Sequence, residues 1–164
     1  IAGSLLSNWF PDVVNALSPS GPEAILMTEF GEKAGQLIPL SQADYRLGFQ
    51  INTRVLSYSL PFYTALHFAT QRKTYLADYL WGLLILYVLF ICGLVCLCLK
   101  TLMVNVSAPF FNQAGVFVPN AEVIAVSYQF SVLIVPTLAP AILWLSQSKD
   151  SPLLQGLFVR TVDR

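Results

Sequence analysis

Between Tyr79 and Leu99 no residue carries a formal charge, a run of 21 positions. A helix rises about 1.5 Å per residue, so the run would cover roughly 31 Å, the thickness of a bilayer's hydrocarbon core. Tyr79 and Trp81 at one end suit a membrane interface, and Lys100 at the other can extend its ammonium to water. Composition agrees: 55% of the 164 residues are hydrophobic and 11% are charged, against roughly 25% charged in an ordinary soluble domain. Nine basic and nine acidic residues cancel, which removes any global attraction to nucleic acid.

Two further apolar runs predict crossings. Val123 to Trp144 follows Asn120, a good cap, and Glu122, an anion in the first helical turn. Pro136 and Pro140 inside that run predict a kinked helix. Val55 to Gln71 is 17 uncharged residues between Arg54 and the pair Arg72-Lys73, which predicts a short, tilted span. The fold class expected is mainly α, an integral membrane protein with three transmembrane helices and a small extracytoplasmic β segment. A fourth helix joins them if the apolar opening IAGSLLSNWF ends a helix that starts before Ile1. The expected division is 1–54 for the β segment, 55–146 for the membrane helices and 147–164 for an amphipathic tail, SPLLQGLFVR, lying on the membrane surface.

Tyr45, Leu47, Phe49 and Ile51 alternate with Arg46, Gly48 and Gln50, the period of a half-buried strand. Upstream, AILMTEF and QLIPL flank GEKAG, which predicts a hairpin. So few strands are unstable alone and need a membrane, a loop or a partner to rest on. The outer loop, with Phe110, Phe111, Phe117 and Val118, offers one such surface. The stretch after Pro11 reads as an interfacial turn.

Orientation follows from lysine and arginine. Arg72 and Lys73 lie between the first two spans, Lys149, Arg160 and Arg164 in the tail, and none between Asn105 and Glu122. The positive-inside rule then places the N-terminal third outside and the C-terminus in the cytoplasm, with Lys100 the one dissenting cation.

Reactive constellations are scarce. Cys92 and Cys96 share a helical face and Cys98 points nearly the opposite way, so the three cannot converge on one metal. They read as lipid- or partner-facing filler. His67, the only histidine, sits near the cytoplasmic end of the first span. Its interfacial, hydrogen-bonded reading competes with a role as axial ligand to haem, since ionisable groups in membranes are functional candidates. Asp78 reads as a first-turn carboxylate that could pair with Arg72 or Lys73, and Gln129 and Ser131 as interhelical hydrogen-bonders.

The strand Tyr45 to Ile51, then Asn52 and Tyr58-Ser59-Leu60-Pro61-Phe62 before two more spans, resembles the exosortase H-associated membrane proteins of bacteria. The resemblance implies an inner-membrane accessory subunit with its β segment on the periplasmic side and larger membrane proteins as partners. No catalytic residue comes with it. Three functions therefore stand side by side: a non-catalytic accessory or structural subunit linked to envelope protein sorting, an electron-transfer subunit using His67, and a membrane enzyme using a cysteine.

Overall fold

The computed structural model describes residues 1–21, 23–33, 36–70 and 75–149, the side chain of Tyr75 excepted. The amphipathic tail and the Arg72-Lys73 pair expected from sequence lie outside the described residues.

Helix α1 (Ala2–Trp9) ends where Pro11 cannot continue it, and the Val14 amide donates back to the Phe10 carbonyl at 2.9 Å. The chain then reverses into strand β1 (Val14–Ser20), not into the interfacial turn expected there. VVNALSPS lacks clean alternation and contains a proline, which strands tolerate at a sheet edge, so the strand is obscure in sequence. Strand β2 (Glu23–Thr28) pairs antiparallel with β1 on one side and with β5 (Gly48–Asn52) on the other. The anticipated hairpin is met only in part: β3 (Phe30–Lys33), which takes in GEK of the expected turn, pairs with β4 (Gln36–Pro39) as a separate two-stranded sheet, whereas AILMT belongs to β2. Strand β5 starts later than the alternation suggests. Leu47 bridges the two sheets instead, donating its amide to Phe30 at 2.8 Å and accepting from Thr28 at 3.0 Å.

The helices follow. The expected first span is broken into α2 (Arg54–Ser57) and α3 (Ser59–Phe68). Pro61 has no amide to offer the Ser57 carbonyl, so the helix interrupts there and restarts with Pro61 in its first turn. Ten residues of α3 rise about 15 Å, half of what an unaided crossing requires. Helix α4 (Tyr75–Asn105) has 31 residues and rises roughly 46 Å, longer at both ends than the charge-free run. After the short α5 (Ala108–Phe111), helix α6 (Ala121–Gln129) passes through a π segment, Phe130–Ile134, into α7 (Val135–Gln147). The π segment lies just before Pro136, whose missing amide disrupts the regular ladder. Thr137 Oγ1 donates to the Ile134 carbonyl at 2.9 Å and so satisfies one acceptor there.

Two stretches, Leu76–Asn105 and Ala121–Gln147, are long and apolar enough to cross a membrane. Only 33% and 22% of their apolar windows are buried within the protein. The core helix of a soluble domain would hide most of its surface, whereas these helices turn theirs outward.

The sheet shares one apolar core with α4. Leu94, Cys98 and Leu102, spaced four apart toward its C-terminal end, and Val106 just past it pack in a cluster with Leu6, Phe10, Val14, Leu26, Ile51 and Phe110. The last third of helix α4 is thus the spine of the sheet unit. As expected, Asn120 Oδ1 accepts from the Val123 amide at 2.9 Å and caps α6. Asn120→Ala should therefore lower the stability of the detergent-solubilised protein by about 1 kcal/mol, read from its thermal midpoint.

Candidate functional site

Helices α2 and α3 dock on α4 at positions where α4 has no side chain. Gly82 and Gly93 lie eleven residues apart, about three turns, and so on one face. A Cβ on Gly82 would collide with the hydroxyl end of Tyr63, and one on Gly93 would sit 2.9 Å from a Leu56 methyl. Small residues let helices approach closely in a membrane, where dispersion and hydrogen bonding carry association.

Around Tyr63 the ends of α3, α4 and α7 are laced together. The Tyr63 hydroxyl has one proton and donates it to Gln147 Oε1 at 2.7 Å, its nearer acceptor. The Asp78 carbonyl, 3.2 Å from that hydroxyl, accepts from Gln147 Nε2 at 2.9 Å. One amide side chain on α7 thereby engages both other helices. Thr64 Oγ1 donates to Leu60 at 2.8 Å and lies 3.1 Å from the Tyr79 hydroxyl, which donates to it. Trp144 Nε1 donates to Thr70 Oγ1 at 2.8 Å, joining α7 to the end of α3. Each link connects residues that would otherwise bury a bare polar group beside hydrocarbon.

His67 is enclosed in this cluster with no exposure. Its ring centroid lies 5.1 Å from Tyr79, 5.7 Å from Tyr63 and 6.0 Å from Phe68. Among the described residues, three aromatic rings pack around the imidazole expected to be interfacial or hydrogen-bonded. Trp144→Phe keeps an aromatic ring but removes the donor to Thr70 and part of the indole's packing; an interhelical bond in a membrane is worth about 0.6 kcal/mol, with a maximum near 1.7. A loss of at least that size in a detergent-unfolding titration is the expected result.

The cysteines separate as the helical geometry requires. Cys98 is buried in the core beneath the sheet, Cys96 is half-buried and Cys92 is exposed. Cys92 and Cys96 floor an apolar groove of about 400 Å³ walled by Leu5 and Trp9 of α1 and by Val123 and Ser127 of α6. Among the described residues no three His, Cys, Asp or Glu side chains lie close enough to share a metal ion. Gln129 is exposed and makes no interhelical hydrogen bond among those residues, contrary to expectation. Ser131 faces a small gap between α2, α4 and α7.

The sequence singles out His67 and Asp78 here, and does not point to Tyr63, Thr70, Trp144 or Gln147. A glutamine at the end of an apolar run is the available signal, since such a group needs a partner.

A family model described as exosortase H-associated membrane protein matches residues 1–151. No curated protein and no solved structure matches the chain. The matched region takes in the sheet unit, the α3–α4–α7 cluster and both long apolar helices, and the resemblance noted at Tyr45 to Phe62 falls within it. The chain belongs to the exosortase H-associated membrane protein family.

Proposed function

We propose that this protein is a non-catalytic accessory subunit of an exosortase-linked assembly in the bacterial inner membrane. Its sheet unit stands on the extracytoplasmic side and its C-terminus in the cytoplasm. The observation that carries this reading is what the polar groups do. Those inside the helical unit, from Tyr63 to Gln147, are spent on fastening helices to one another. The apolar surface is directed outward: Leu80, Leu84 and Val88 of α4, and Leu133, Leu138 and Ile142 of the π segment and α7, are exposed large hydrophobics. A scaffold that holds its own shape and offers apolar helix faces suits a subunit that packs beside larger membrane proteins. The lysine and arginine asymmetry of the loops supports the orientation.

Purification from native membranes in a mild detergent tests the role. Recovery of a larger membrane protein in fixed stoichiometry, retained through size exclusion, is expected. A chain that elutes as a stable monomer after gentle extraction would contradict it.

A further inference from the structure

Two interruptions in the helices face one another. On one side α2 gives way to α3 at Tyr58, just ahead of Pro61; on the other, the π segment runs into Pro136. Leu56 and Ser59 at the first break, and Ser131 and Pro136 at the second, enclose a gap of about 10 Å³ against Leu89 of α4. Leu89 is the midpoint of the uncharged run from Tyr79 to Leu99, so the gap lies at the depth where a bilayer is driest.

The walls of this gap are not uniformly apolar. Ser59 is 5% exposed and donates its hydroxyl proton to the Leu56 carbonyl at 3.0 Å, which leaves its oxygen able to accept. Half-buried Ser131 makes no hydrogen bond among the described residues and has a proton to give. Cavities that stay dry are lined by hydrocarbon alone, whereas a polar one holds a water once its volume reaches about 10–15 Å³. The gap therefore has room for one such molecule and nothing larger. Two neutral hydroxyls are too few oxygens for a hard cation, which takes six or so. Irregular backbone at membrane depth likewise occurs where protein buries it or where it lines a water-holding cavity.

We propose that this gap is a binding site for a single structural water, which accepts from Ser131 Oγ and donates to Ser59 Oγ. The water joins the break between α2 and α3 to the π segment and gives each hydroxyl a partner that hydrocarbon cannot supply. Gln147 and Trp144 fasten α7 to α3 directly at one end of the helices. The water fastens the same helical unit at its middle.

Solid-state NMR of the full chain in lipid bilayers, with magnetisation transferred from water to protein, tests this. Thr137 is the control: it is exposed on the apolar surface, and its hydroxyl is bonded within its own helix at 2.9 Å. Ser59 and Ser131 should receive magnetisation at least threefold faster than Thr137. Ser131→Ala takes away the donor, so transfer to Ser59 should fall to the Thr137 rate. Transfer to both serines no faster than to Thr137 would overturn the proposal, as would undiminished transfer to Ser59 in a folded Ser131→Ala chain. If Ser131→Ala fails to fold, transfer to Ser131 in the Ser59→Ala chain decides: loss supports the site and persistence removes it. The accessory role does not depend on the result, because it rests on the outward apolar faces.

Discussion

Phe10→Ala is expected to destabilise the protein by about 3–5 kcal/mol, the largest loss for any single truncation of the sheet unit. Phe10 is fully buried, stacks on Trp9 with centroids 4.9 Å apart and meets Phe110 at 5.3 Å. It thereby joins α1 to the loop helix α5 above the end of α4. Its carbonyl also receives the Val14 amide that starts β1. Truncation would leave a cavity at the one point where three elements meet, and neither the strand nor the helix could close over it. Thermal unfolding in detergent, with limited proteolysis between residues 10 and 50, would show the loss. Trp9→Ala is the comparison: Trp9 is partly exposed, so its cost should be smaller. A Phe10→Ala protein within 1 kcal/mol of the parent would mean that the sheet is held in another way.

The second large effect is expected at Gly82. Gly82→Ala introduces a methyl group where the Tyr63 ring and hydroxyl already lie. Overpacking of this kind costs about 1–3 kcal/mol. Here it would also push Tyr63 off Gln147, so the upper end of the range is expected. Gly93→Ala should cost less, because its neighbour is a flexible Leu56 methyl. Coupling provides the decisive readout. In a Tyr63→Leu background the Gly82→Ala penalty should shrink by at least half, as expected for residues in direct contact. Equal penalties in both backgrounds would contradict the docking of α3 on α4.

These two sites differ in how legible they are in sequence. The long apolar helix α4 can be read from residues 79 to 99, because so long a run without charge is rare outside a membrane-spanning helix. The cap at Asn120 is equally local. The three-span layout is less secure. Pro61 decides whether residues 55 to 71 form one helix, and its effect depends on whether anything else binds the Ser57 carbonyl. Strand β1 is hidden because its identity depends on α1 covering it and on Pro19 facing an open edge, both tertiary facts. The α3–α4–α7 cluster is hidden for a related reason. Tyr63 and Gln147, and Thr70 and Trp144, are distant in sequence, and no periodicity links them. His67 draws attention as the only histidine, and the rings packed on it among the described residues come from its own helix and from α4.

The central claim is that α4 and the α6–α7 helix cross the bilayer with the sheet unit outside. Single cysteines at Gln36, Gln113 and Lys149, in a chain whose own three cysteines are alanine, test it with a membrane-impermeant thiol reagent. The account predicts that Gln36→Cys and Gln113→Cys label on intact spheroplasts and that Lys149→Cys labels only after the membrane is opened. Labelling of Gln36→Cys and Gln113→Cys from opposite sides, or of Lys149→Cys on intact spheroplasts, would contradict it.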